Sequence, residues 1–255
     1  MSENNIETMR HSLSHVMAAA IKNLYAATTT VRFGIGPAIE NGFYYDIDFG
    51  DLKLTDADLP KIEKEMRKII KAKLPIERSE KSRDEALAWA REGKQKYKVE
   101  IIEELPADET ISFYTLGDFE DLCRGPHVEN TGKVGAFKLE KIAGAYWRGD
   151  AKKQMLCRVY GTSFPKASLL EAHLTAIEEA KRRDHRKLGK ELGLFTIMDE
   201  GPGFPFWLPN GMRLKNALMD YWHDMQAAYN YILYRRYREA LNVLNQSEGV
   251  RGAEG

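Results

Sequence analysis

Two short motifs set the problem this chain must solve when it folds. His11-Ser-Leu-Ser-His15 lies in a stretch with helical periodicity. Cys123-Arg-Gly-Pro-His127 follows some 110 residues later and carries a Gly-Pro pair that stops a helix. Three imidazoles and one thiol are the groups that bind a transition metal or move protons near neutral pH. A fold that uses them together must press one helix face against one loop. An i,i+4 histidine pair projects both rings from one face, so two groups from a helix and two from a loop make a workable tetrahedral set. The CxxxH spacing alone is less specific than a CxxC pair.

The helix spans residues 5–26, with Met9, Leu13, Val16, Met17, Ala20 and Leu24 repeating at a period near 3.6. His11 and His15 fall opposite that stripe, and on the helix alone they read as a solvated face. Val31, Phe33 and Ile35 alternate as a strand. Asn41-Gly42 predicts a hairpin, with Phe43 to Phe49 returning. Gly34-Ile-Gly36-Pro37 is a bend or bulge, because a dinucleotide loop needs a third glycine and a following helix. Residues 58–73 read as a helix with Leu59, Ile62, Met66, Ile69 and Ile70 inward. Ser82 to Glu85 has the form of a capping box and starts a second short helix through Trp89. Strands are expected at 98–103, 111–116, 136–142 and 154–160. Strands and helices in no regular alternation predict an α+β fold, a mixed or antiparallel sheet with packed helices.

Residues 166–190 read as one long helix with a basic end made of Lys181, Arg182, Arg183, Arg186, Lys187 and Lys190. Such a cluster tracks a phosphate backbone or forms a charged linker face. An aromatic, turn-rich loop from Gly201 to Trp207 follows. A helix over 211–229 carries Leu214, Leu218, Trp222 and Met225 inward, and Gln246 to Gly255 has no core-forming residues.

Among single residues, Asp121 can orient an imidazole or accept a substrate amine, or simply cap a turn. Lys98, in an expected strand, can meet a phosphate or a carbonyl oxygen, or lie exposed. Tyr45 offers a hydroxyl but sits where hairpin tyrosines pack. Cys157, among Met155, Leu156 and Val159, reads as a buried, inert thiol. Lys+Arg and Asp+Glu both number 38, so no global charge marks the chain for DNA or RNA, and any RNA contact needs a local patch. No run of about 18 apolar residues exists. Two cysteines make no disulfide framework and suit a reduced, cytoplasmic setting.

Seven stretches carry a resemblance: RHSLSH at 10–15, GPAIENGFYYDID at 36–48, YKVE at 97–100, DLCRGPH at 121–127, AGAYWRGD at 143–150, RVYGTSFP at 158–165 and KRRDHRKLGKEL at 181–192. In this order they resemble the editing domain of bacterial-type threonyl-tRNA synthetases, from about residue 7 to residue 229. The HxxxH and CxxxH pairs also recur in alanyl-tRNA synthetase editing domains, and AGAYWRGD with the basic helix points to the threonyl family. The resemblance implies an editing domain over 1–165, a linker helix over 166–190, the start of a class II catalytic domain over 191–240 and a disordered tail over 241–255. It implies hydrolysis of tRNA(Thr) wrongly charged with serine. His11, His15, Lys98, Asp121, Cys123 and His127 would be catalytic, with Tyr45, Lys98 and Asp121 binding substrate. Lys181, Arg182, Arg183, Arg186 and Lys187 would meet the tRNA. No cofactor is required for that hydrolysis, though His11, His15, Cys123 and His127 can hold zinc. The arginine-bearing ATP motifs are absent, so ATP use and ligase activity are not expected. Expected partners are the tRNA acceptor end and either a full-length synthetase or a second copy, met through the class II segment. The alternatives are an inactive fragment that only binds the acceptor end, or a metal-binding module.

Overall fold

The computed structural model describes residues 3–228. In chain order the elements are α1 (Glu3–Tyr25), β1 (Arg32–Phe33), β2 (Ala38–Ile39), β3 (Gly42–Asp48), α2 (Leu59–Ala72), β4 (Ile76–Lys81), α3 (Arg83–Glu92) and α4 (Lys96–Glu104). Then come β5 (Ile111–Leu116), β6 (Phe119–Leu122), β7 (Ala136–Tyr146), β8 (Met155–Phe164), α5 (Ala167–Arg182), α6 (His185–Glu191), β9 (Phe195–Ile197), β10 (Pro205–Trp207) and α7 (Pro209–Ala228). The chain divides into two compact units, residues 1–175 and 176–255, with the division inside α5.

The first unit holds two antiparallel sheets. One runs β1-β3-β8-β7, with β2 also pairing β3; the other is β4-β5-β6. All pairings are antiparallel, as an α+β fold requires. Helix α1 lies at the centre. From Ser12 to Ile21 every residue is buried, and Leu13, Val16, Met17 and Ile21 pack with Phe43, Ile47, Ile62, Met66 and Val159. Each fully buried side chain of this size contributes about 1.5–3 kcal/mol relative to leaving it in water. A second cluster joins Ala86, Ala90, Ile102, Ile111 and Phe113, so α3 and α4 pack on the smaller sheet.

The expectation of a solvated histidine face on α1 is therefore wrong. His15 is only 3% exposed. The helix has sheet and α2 on its apolar side, while β5 and β6 approach it from elsewhere, so both faces are covered. The strand expected at 98–103 is helix α4. Its inward residues form i,i+4 pairs, Tyr97 with Ile101 and Lys98 with Ile102, which a short β-branched run masks. No side-chain cap marks its start at Gln95.

The hairpin is present, but Glu40-Asn41 form the turn and Gly42 begins β3 opposite Ile39. The capping box is present as expected: Ser82 and Glu85 satisfy each other's backbone N–H, and α3 runs on to Glu92. Strands β4 and β6 were not expected. β4 is charged and mostly exposed, so it lacks the alternation that marks a half-buried strand.

The segment expected as one helix over 166–190 breaks between Arg182 and His185, where the Asp184 side chain accepts from the Arg186 N–H and caps a new helix. In the second unit, Leu214, Leu218, Trp222 and Met225 of α7 are exposed rather than inward. The end of the expected class II segment beyond residue 228, and the expected tail over 241–255, lie outside the described residues.

Gly36 shows how tightly the bend before β2 is fitted. A Cβ there would lie 2.2 Å from the Tyr45 ring, and the Gly36 carbonyl accepts from Ser14 Oγ at 2.6 Å. Overpacking of this kind costs about 1–3 kcal/mol. Gly36→Ala is expected to lower stability in urea by that amount, with little change in the slope of the transition. An unchanged midpoint would show that the bend can open freely.

Candidate active site

The first unit brings the two motifs together. The donor atoms of His11, His15, Cys123 and His127 all lie within 4.8 Å of one another. Cys123 Sγ sits 3.3 Å from His11 Nε2 and 3.3 Å from His127 Nε2. The ring centroids of His127 lie 4.3 Å from those of both His11 and His15.

Backbone geometry explains the loop's part. Cys123 continues the β5 pairing: its N–H donates to the Ser112 carbonyl, and Ser112 Oγ donates to the Cys123 carbonyl at 2.6 Å. Gly125 then takes φ +71°, and a Cβ there would meet Tyr114 Oη at 2.1 Å. Only glycine adopts that turn without strain or clash. The Gly125–Pro126 bond is cis. The chain thus doubles back and lays His127 beside Cys123, while the Gly125 N–H donates to Cys123 Sγ at 3.2 Å.

A residue the sequence reading passed over joins the two motifs. Ser12 Oγ accepts from the Val128 N–H at 3.0 Å, lies 3.0 Å from His127 Nδ1, and donates to the Thr8 carbonyl at 2.8 Å. A hydroxyl has one proton. With that proton on the Thr8 carbonyl, Ser12 accepts from His127 Nδ1–H, and a lone pair of His127 Nε2 faces Cys123. The only hint in the sequence is the serine next to His11 in the motif. Ser14 plays a similar part: its Oγ lies 2.7 Å from the His11 carbonyl and 2.6 Å from the Gly36 carbonyl, which share its one proton.

Burial decides the charge of the cluster. It lowers the pKa of His127 to about 3, and the nearby His11 adds to the effect. Burial also lowers His11, against smaller raising effects from the Pro126 backbone and Asp121. It lowers His15 well below its ordinary value, with His127 and His11 next in importance. Burial pushes the Cys123 thiol up to about 11. At neutral pH the cluster is three neutral imidazoles and a protonated thiol.

Beside it lies a second group. Lys98 Nζ pairs with Asp121 Oδ1 at 2.7 Å, and both side chains are 3% exposed. Tyr45 Oη donates to Asp121 Oδ2 in a short hydrogen bond and lies 3.3 Å from Lys98 Nζ. Lys98 thus comes from the buried face of a helix rather than an exposed strand. Asp121 is buried on β6 instead of capping a turn, and Tyr45 is fully buried. Both groups open into one cavity of about 350 Å³, walled on its apolar side by Ile101, Leu105, Ile111 and Leu122. His11, His15, Tyr45, Lys98, Asp121 and Cys123 line it, and His127 is not among its lining residues.

The basic residues expected to meet RNA belong to the second unit. They are exposed and locally paired: Arg182 and Arg183 with Glu179, Lys181 with Glu178, Arg186 with Asp184. Cys157 is a free, half-buried thiol whose pKa burial raises to about 11.

The four-group set fits a divalent cation. Bonds of about 2.0–2.3 Å to nitrogen and sulfur place tetrahedral donors near the separation seen between Cys123 Sγ and the two Nε2 atoms. A cation would also reverse the electrostatics at Cys123, since it binds the thiolate.

These features have counterparts in known proteins. Residues 111–160 match the family described as the threonyl and alanyl tRNA synthetase second additional domain, which here contains β5, β6, the Cys123–His127 loop and most of β8. At the level of whole sequences, the chain is 56% identical over 222 residues to the threonine–tRNA ligase of Acetivibrio thermocellus, covering 87% of this chain and 34% of that protein. The enzyme of the same name from Clostridioides difficile is 57% identical over 226 residues, 89% of this chain and 35% of that ligase. That of Halalkalibacterium halodurans is 53% identical over 231 residues, 90% and 36%. The chain spans about a third of the length of the curated relatives it matches. Among the described residues no helix is long and apolar enough to cross a membrane.

The buried ion pair makes a direct prediction. Removing one partner strands the other charge, at a cost of about 3–5 kcal/mol, whereas apolar replacement of both is far milder. Lys98→Met is expected to lose that much stability by denaturant titration, and adding Asp121→Leu to recover most of it. A double variant as unstable as the sum of the two singles would mean that the pair is not coupled.

Proposed function

We propose that this chain hydrolyses the ester of mischarged seryl-tRNA(Thr). The observation that carries the reading is the single cavity in which neutral imidazoles, a thiol and a buried Lys-Asp-Tyr group converge. In the reaction, water attacks the ester carbonyl carbon, and the bond to the ribose oxygen of the terminal adenosine breaks. The water proton passes to an imidazole and then to the leaving ribose oxygen. The products are serine and a tRNA with a free hydroxyl.

His11 suits the water-positioning role better than His127, because it lines the cavity and His127 does not. His15, almost wholly buried, shapes the cluster. Lys98 faces charge that develops on the carbonyl oxygen. Asp121 takes the seryl ammonium; its two oxygens already serve Lys98 and Tyr45, but each has a second lone pair. Selection is a second sieve, in which the cavity admits serine and excludes the extra methyl of threonine, a difference of about 1–3 kcal/mol.

A second reading is favoured by the donor cluster itself. His11, His15, Cys123 and His127 would hold zinc, which when bound polarises a carbonyl or lowers the pKa of water. In the first reading the metal is not obligatory, and ATP has no part. Partners are the acceptor end of tRNA(Thr) and either a full-length synthetase or a second copy held through the apolar face of α7. Leu214, Leu218 and Trp222 are exposed on that face, so weak self-association is expected in scattering. A strictly monomeric particle at high concentration would remove that partner.

The test is serine release from seryl-tRNA(Thr), with threonyl-tRNA(Thr) beside it, with and without chelator. Release of serine with threonine spared is expected. His11→Ala is expected to slow it by about a hundredfold, the size of a general-base contribution. Because burial lowers the imidazole pKa values, the rate is expected to fall only as pH drops below about 6.5. Loss with chelator, together with zinc by elemental analysis, favours the metal reading. No release from folded protein removes the hydrolase.

A further inference from the structure

The mouth of the cavity holds a charged pair that the chemistry above does not use. Arg124 follows Cys123 directly, and its side chain is 77% exposed. Its guanidinium meets Glu109 Oε1 at 2.5 Å. Glu109 comes from the turn that joins α4 to β5, where its N–H donates to the Pro106 carbonyl. Both residues line the cavity and are more exposed than the buried Lys98 and Asp121 that line it too. The Arg124 backbone is held in place, because both main-chain groups of Cys123 are pinned to Ser112.

An exposed pair of this kind contributes little to stability, so exchanging one partner costs little. A guanidinium is a planar fork that accepts a phosphate as readily as a carboxylate. The cavity interior offers anions no free cation: Lys98 is already matched by Asp121. We infer that Arg124 is a phosphate-binding residue at the mouth of the cavity, held ready by Glu109, and that it takes a phosphodiester next to the terminal nucleoside of an RNA end. The inference rests on the proposed reading for its ligand class. It adds a contact to the incoming strand close to the cavity. Glu109 acts as a competing anion that the phosphate displaces.

The experiment uses the full chain and a fluorescein-labelled RNA minihelix with an uncharged CCA end, read by anisotropy from about 50 to 200 mM salt. Arg124→Ala is expected to weaken binding about tenfold at low salt and to lower the slope of log affinity against log salt by about one. Arg124→Lys should fall between the two. Glu109→Gln should tighten binding severalfold, because the guanidinium loses its competitor. The opposite signs separate a phosphate clamp from a structural ion pair: if both variants weaken binding alike, the inference is overturned. It is also overturned if Arg124→Ala leaves affinity and slope unchanged, or if the wild-type chain does not bind the minihelix. Binding that behaves as expected without serine release in the parallel assay would retire the hydrolase and keep the clamp.

Discussion

The buried pair of Lys98 and Asp121 is the constraint on which the site depends. Taking two charges out of water costs several kcal/mol per ion, and only close, saturated partners offset it. Here the partners come from three separate elements. Lys98 rises from α4, Asp121 from β6 and Tyr45 from β3, so the ion pair is satisfied only when both sheets and the helix have met. A misplaced α4 would leave a carboxylate buried with one phenol for company. The pair therefore contributes more to the choice of arrangement than to net stability. It also sets the floor of the cavity, with a cation and an anion already oriented before any ligand arrives.

The histidine cluster follows a different rule. Three imidazoles packed ring to ring cannot all carry charge, and burial takes the proton from each before neighbour repulsion is added. What remains is a set of lone pairs held beside the cavity. Ser12 orients one of them by tying His127 Nδ1 to α1, and Gly125 makes room for the loop that carries it. Water activation and metal binding both need that same state, a neutral ring with a directed lone pair. The geometry thus serves either chemistry, and elemental content and chelator response separate them where distances do not.

Much of this was legible in the sequence, for identifiable reasons. Residues with strong local rules were placed correctly: the Ser82–Glu85 capping box, the periodic stripe of α2 and the long alternating strands β7 and β8. The four groups of the cluster were found because their chemistry is rare and their spacings are short. What local rules could not supply was the second side of an element. His11 and His15 looked solvated because periodicity describes one face of a helix and says nothing of what covers the other. Lys98 looked strand-borne because Val99 and Ile101 alternate, although two i,i+4 pairs were present in the same residues. Ser12, Glu109 and Arg124 carry no motif of their own; their parts arise from contacts across about 115 positions for Ser12 and 15 for the ion pair.

Interior and mouth differ in a way that matches the charges of an aminoacyl-RNA end. Inside, Lys98 already has its counterion in Asp121, so a phosphate would have to compete with that carboxylate, while a single ammonium would share it. At the mouth the pair is exposed and exchangeable, and there an anion can displace Glu109 from a guanidinium at little cost. A ligand with a cationic amine next to its ester, a neutral sugar and base behind it and phosphates only further out fits this gradient from end to end. A free nucleotide, which brings its anions to the same place without the amine, uses only the outer half. On the proposed reading, electrostatics would order the approach: the strand would be held by its phosphate outside, and the ester would be the part left to enter the interior.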